Sequence, residues 1–136
     1  MKSALIDAGP CIALFDRSDK YHEQVKLFLE AYRGRLFSTW PVVTEVMHML
    51  DFDLRAQVDF LHWLERGAIT ISPLDIEDLP QIIKMIKKYA DRPMDLADAT
   101  LLITANKGKI NNIISIDADF TIYQTPGGKK LDNLLL

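Results

Sequence analysis

The chain predicts an α/β fold, a mainly parallel sheet with helices on both faces. Two features carry that expectation. Short apolar runs alternate with longer stretches whose apolar residues recur at helical spacing. Most Gly and Pro residues fall at the joins between these segments. Strands separated by helices pair in parallel through crossover connections, which places helices on both sides of the sheet.

Residues 4–6, Ala-Leu-Ile, read as a buried first strand, followed by a turn at Gly9 and Pro10. Residues 20–33 form an amphipathic helix in which Tyr21, Val25, Phe28, Leu29 and Tyr32 share one face. Gly34 is its expected C-cap. Residues 36–38 make a second strand. Pro41 opens the next helix, at a position where its missing N–H costs nothing. Helical pattern continues to about Leu64, with a break near residues 51–53, and Gly67 stops it. Residues 69–71 form a third strand. Leu79, Ile82, Ile83 and Ile86 mark a further helix. Another follows Pro93, runs to Asn106 and stops at Gly108. Residues 113–116, Ile-Ile-Ser-Ile, are the clearest strand, an apolar run of the kind a two-sided sheet buries. A fifth strand is expected at residues 121–123 or at the C-terminal residues 134–136.

The length of 136 residues suits one domain, residues 1–136. A content of 49% hydrophobic residues is enough to build a core without disulfides or a structural metal. Cys11 is the one cysteine, which rules out an intramolecular disulfide and a thiol set for zinc. The N-terminus turns polar too soon for a signal peptide, and no apolar run approaches the ~18 residues of a membrane span. A cytoplasmic protein with no membrane partner is expected. The net charge of −3 hides an asymmetry. Residues 1–78 carry 13 acids and 8 bases, whereas residues 79–136 carry 6 acids and 8 bases. Lys84, Lys87, Lys88, Arg92, Lys107, Lys109, Lys129 and Lys130 are candidate phosphate contacts in that second part. Gly127 and Gly128, just before the last pair, read as a turn and not a phosphate loop.

In open parallel sheets, functional residues gather beyond the carboxyl ends of the strands. Asp7 follows the first strand and Asp117 follows residues 113–116. Glu45 lies in the first turns of the helix opened by Pro41, which leaves the carboxyl end of the second strand. Asp98 lies near the start of the helix after Pro93, which runs antiparallel to the sheet. The topology therefore brings four acids, distant in sequence, to one edge. Singly, each has an ordinary use in a turn or beside a helix N-terminus. Together they repel unless something positive joins them. An all-oxygen donor set without Cys or His suits Mg²⁺ or Mn²⁺. Asp95, three residues before Asp98 and sharing its helix face, and Asp119, two after Asp117, are further candidate ligands.

These segments resemble the PIN-domain family over nearly the whole chain. The matching pieces are LIDAGP at residues 5–10, TEVMHML at 44–50, MDLADATLL at 94–102 and SIDADF at 115–120. The resemblance implies a three-layer α/β/α fold with a central, mainly parallel sheet of about four to five strands. It also implies a Mg²⁺- or Mn²⁺-dependent endoribonuclease that hydrolyses phosphodiesters with metal-activated water. Asp7, Glu45, Asp98 and Asp117 take the family's acidic positions as metal-binding and catalytic residues. Many members follow the first Asp with Ser or Thr, where this chain has Ala8 and Gly9. Polar support for the site then has to come from Thr44 or Ser115, or is missing.

An aspartyl phosphatase of the haloacid-dehalogenase type expects a second Asp where Gly9 stands. A receiver domain expects paired acids early in the chain and a late Lys. The alternative of another class is a catalytically silent RNA- or protein-binding module on the same scaffold, against which the full set of acids argues. Many proteins resembling this one are VapC-type toxins, so the expected partners are an RNA substrate, an antitoxin protein and a second copy of the chain. Trp63 and Tyr32 are either candidate apolar residues for such a homodimer or part of the core.

Overall fold

The computed structural model describes residues 2–136. Strands β1 (Ala4–Ile6), β2 (Leu36–Ser38), β3 (Thr70–Ile71), β4 (Asn112–Ile114) and β5 (Asp132–Asn133) form one sheet in the order β3-β2-β1-β4-β5. Every neighbouring pair is parallel. The helices are α1 (Ala8–Phe15), α2 (His22–Ala31), α3 (Trp40–Met49), α4 (Leu54–Glu65), α5 (Leu79–Lys88) and α6 (Leu96–Gly108). The architecture is the expected three-layer α/β/α arrangement, with a wholly parallel sheet. Among the described residues no helix is long and apolar enough to cross a membrane.

A parallel sheet covered on both faces buries every side chain of its central strands. All three residues of β1 are buried, as are Ile113 and Ile114 of β4. Helix α6 is apolar nearly all round and has eight buried residues, so it runs through the interior and not along a surface. It packs against α5 and α3, while α1 packs against α2, α3 and α4. Phe15, Phe60 and Trp63 meet edge to face or tilted, with ring centroids 5.4 to 6.5 Å apart. Trp63 is therefore partly built into the core. Tyr32 stacks on Phe28 and donates its hydroxyl to the Lys2 carbonyl at 2.6 Å. Neither is a free apolar surface; the exposed apolar side chains include Trp40, Phe52 and Leu54.

Several local expectations are corrected. The turn expected at Gly9 and Pro10 is the first turn of α1, because Asp7 caps that helix and Pro needs no N–H donor there. Gly34 is not a left-handed cap; α2 ends at Ala31 with Tyr32 as its C-cap. Gly34 is needed because a Cβ there would collide with the Lys2 carbonyl oxygen and the Tyr32 hydroxyl. The break expected near residues 51–53 is there: the helical stretch after Pro41 is two helices, the second capped by Asp53, whose side chain accepts the Arg55 N–H at 2.9 Å. The third strand starts one residue later than expected, at Thr70. The left-handed residue ending α6 is Lys109, with φ 53°, one past Gly108. Residues 115 and 116 run past the end of β4. Residues 121–123 are not a strand, since Ala118–Thr121 is a 3-10 turn that buries Phe120. The fifth strand lies earlier than residues 134–136. Gly128, at φ 85°, confirms the turn at residues 127–130.

Candidate metal centre

The chain leaves β1 for β2 and β3 on one side and returns to β4 and β5 on the other. The switch point therefore lies between β1 and β4, where an open parallel sheet leaves a crevice at its carboxyl edge. Asp7 follows β1 there, and Ser115 to Asp117 follow β4. The cleft has a volume of about 450 Å³ and is lined by Asp7, Glu45, Asp95, Asp98, Asp117 and Asp119 together with apolar residues such as Ile12 and Met49. One carboxylate oxygen each from Asp7, Asp98 and Asp117 lies within 4.8 Å of the others. Glu45 joins them from α3 as a half-buried wall residue, outside that tight group.

Each acid is held by its backbone position. Asp7 is buried and caps α1, accepting the Ala8 N–H at 2.8 Å. Its second oxygen accepts the Ser115 hydroxyl at 3.0 Å, and Ser115 Oγ accepts the Asp117 N–H at 2.9 Å. The polar support that Ala8 and Gly9 do not supply thus comes from Ser115. Thr44 is exposed and donates to the Trp40 carbonyl instead. Asp95 is not inside α6 beside Asp98 but is its N-cap, and the two cap reciprocally. The Asp98 N–H donates to Asp95 at 2.8 Å, and the Asp95 N–H donates to Asp98 at 3.3 Å. Asp117 accepts the Asp119 N–H at 2.9 Å. The Asp119 carboxylate is itself paired with Arg92 at 3.0 Å.

The electrostatics follow from this crowding. Burial pushes the Asp7 carboxyl up to about 6, opposed by its Ala8 and Ser115 hydrogen bonds and assisted by Glu45 and Asp117. Burial and then the charges of Asp95 and Asp7 push Asp98 up to about 8. Glu45 is raised by burial, then by Asp95 and Asp117. Tyr123, whose hydroxyl donates to the Arg92 carbonyl at 3.4 Å, is raised to about 12 by burial and by Asp98 and its neighbours. Like charges this close do not all ionise without a cation. The donors are hard oxygens with no thiol or imidazole among them, so the residues fit Mg²⁺ or Mn²⁺. Cys11 is buried near Asp7 and its thiol is pushed well up, which leaves it inert.

The basic residues divide. Lys107 is paired with Asp78 at 2.7 Å and Arg92 with Asp119. Lys109 and Lys129 line a groove at the C-terminal end of α6, while the acids sit at its N-terminal end. Thirteen residues of helix separate the two by about 20 Å. Lys87 and Lys88 close α5, a few residues before Pro93 of the cleft. The pairing of Arg92 with Asp119, 27 residues away, and the placing of Tyr123 beside the acids had no signal in the sequence pattern.

The family model of the PIN domain matches residues 4–125. Ribonuclease VapC26 of Mycobacterium tuberculosis is 23% identical over 127 residues, covering 91% of this chain and 94% of its own. The crystal structure of VapC20 from the same species, a sarcin-ricin-loop-cleaving toxin, superposes with a TM-score of 0.77 at 18% identity, over 85% of this chain and 91% of that one. A toxin–antitoxin complex from Klebsiella pneumoniae gives 0.64 at 22% identity, over 91% and 93% of the two chains. VapBC2 of Rickettsia felis, bound to a DNA fragment from its promoter, gives 0.62 at 10% identity, over 96% and 98%. The solved structures share the fold, the family match spans nearly all of the sheet and the whole acidic cleft, and the chain belongs to the PIN-domain family.

Proposed function

We propose that this chain is a metal-dependent endoribonuclease, one nuclease domain over residues 1–136, and the toxin of a toxin–antitoxin pair. The observation that carries the reading is the approach of Asp7, Asp98 and Asp117 to within 4.8 Å at the switch point of a PIN-domain sheet. The names of the relatives support it, one a ribonuclease and another a sarcin-ricin-loop-cleaving toxin. Asp7, Asp98 and Asp117 would hold a Mg²⁺ or Mn²⁺ ion, with Glu45 closing the set. When bound, the cation supplies charge neutralisation at the scissile phosphate and activation of water for attack.

The chain's own groups do the rest. Ser115 orients Asp7 by donating to one of its oxygens, and the Ala8 N–H holds the other. The reciprocal cap between Asp95 and Asp98 fixes Asp98 at the cleft wall. Asp98 or Asp117 would take a proton from the attacking water. Arg92 keeps Asp119 occupied, so that Asp119 acts on the electrostatics of the rim more than on the ion. An antitoxin that inserts an Arg or Lys among the carboxylates would compete with the metal for the same charge.

The deciding assay incubates pure protein with structured and single-stranded RNAs, with Mg²⁺, Mn²⁺ or EDTA, and maps the ends produced. Cleavage abolished by EDTA is expected; cleavage indifferent to EDTA overturns the metal assignment. Expression alone should arrest growth in a manner that needs Asp7. Co-expression of an antitoxin, sought among small proteins encoded beside it, should restore growth, and harmless expression of an enzyme active in vitro would count against the toxin reading.

A further inference from the structure

Strand β5 is two residues long, stands at the open edge of the sheet, and lies past residue 125, where the family match ends. Its last residue, Asn133, makes contacts that a plain edge strand does not need. The Asn133 Nδ2 donates to the Ser115 carbonyl oxygen at 3.0 Å, and its Oδ1 accepts the Ser115 N–H at 3.3 Å. The same oxygen accepts the Leu135 N–H at 3.1 Å. The β4–β5 register pairs Asn112 with Asp132 and Ile113 with Asn133. The Asn133 carboxamide, which offers a donor and an acceptor like a peptide unit, extends this ladder past the end of β4. Ser115 is fully buried, so its backbone groups depend on partners of this kind. Its side chain faces the acids, donating to Asp7 at 3.0 Å and accepting from the Asp117 N–H at 2.9 Å. Ser115 is therefore gripped from behind by Asn133 while its hydroxyl ties Asp7 to Asp117.

We infer that Asn133 is a positioning residue of the carboxylate site: acting through Ser115, it sets the placement of Asp7 relative to Asp117 and with it the affinity for a divalent cation. The inference rests on the metal-dependent reading above and extends the working site to a residue outside the family match. Groups that orient metal ligands from outside typically carry about 10–100-fold in metal affinity.

The test is Mn²⁺ binding by calorimetry on the full chain, for wild type, Asn133→Ala, Ser115→Ala and the control Asp132→Ala. Circular dichroism confirms that each variant is folded. Asp132 is exposed on the same strand and should leave binding unchanged. Asn133→Ala should weaken Mn²⁺ binding about 10-fold or more and lower kcat for RNA with little change in KM. A folded Asn133→Ala that binds Mn²⁺ like wild type overturns the inference and leaves β5 as an edge strand only. Ser115→Ala keeps the Asn133 contacts to the backbone and removes the hydroxyl through which they act. Native Mn²⁺ affinity in that variant overturns the inference even where Asn133→Ala does not fold. Absence of Mn²⁺ binding by the wild type would instead bring down the metal reading on which it stands.

Discussion

Asp98 is pushed up to about 8 because it is half-buried at a helix start with Asp95 and Asp7 beside it. Replacing it by Asn keeps the shape and removes both the ligand charge and the repulsion. Asp98→Asn is expected to lose RNA cleavage while melting, without metal at pH 8, at or above the wild-type temperature. Asp95→Asn should retain most activity, because Asn caps a helix as well as Asp does; Asp95→Ala should cost about 1 kcal/mol of stability. End-mapped cleavage and thermal melts check both, and an inactive Asp95→Asn beside a normal Asp98→Asn would reverse the assignment. The gathering of Asp7, Asp98 and Asp117 at one edge was legible because each stands just past a strand or at a helix start, whereas Glu45 reaches the cleft from the middle of α3. Their finer partners were not. The choice of Ser115 over Thr44 as support depends on which hydroxyl faces Asp7 across the β1–β4 pair, and Asp119 finds Arg92 through a contact between distant loops. No spacing rule encodes either.

Among the elements, α2, α5 and α6 followed their apolar spacing, and α2 and α6 lie within a few residues of the expected bounds. Helix α1 was hidden because Gly9 and Pro10 are turn residues in most settings, and only the cap formed by Asp7 makes them a helix start. Strand β5 was hidden for the opposite reason. Asp132 and Asn133 carry no apolar signal, and the strand exists because β4 offers an unpaired edge. Gly34 gives this scale its prediction. Between α2 and β2 the backbone passes against the Lys2 carbonyl oxygen, leaving no room for a methyl group. Gly34→Ala should destabilise the fold by roughly 1–3 kcal/mol, read as a lower urea midpoint with an unchanged slope. A midpoint equal to wild type would mean that the start of β1 moves aside freely.

For the molecule as a whole, Asp7, Glu45 and Asp98 are all shifted upward. Unfolded, such carboxyls lose their protons near 4; folded, Asp7 and Asp98 hold them to about 6 and about 8. Between those values the folded chain binds more protons than the unfolded one, so stability falls as pH rises through the window. The metal-free protein should melt higher near pH 5 than near pH 8, and millimolar Mn²⁺ should restore the loss at pH 8 by binding the native state. A metal-free melting temperature that climbs from pH 5 to 8 would contradict the crowding of these acids. RNA binding should weaken as salt is raised, through Lys84, Lys87 and Lys88 on α5, and a flat response from low to moderate salt would exclude them. The order of the strands has a consequence in time. Asp7 is made before all six helices and Asp117 after them, because β4, which lies beside β1 and brings Asp117, follows α6 in the chain. No nascent chain that stops short of Asp117 carries the assembled cluster. A cell making such an enzyme is exposed to it only once Asp117 has left the ribosome, and a partner protein has that interval in which to be waiting.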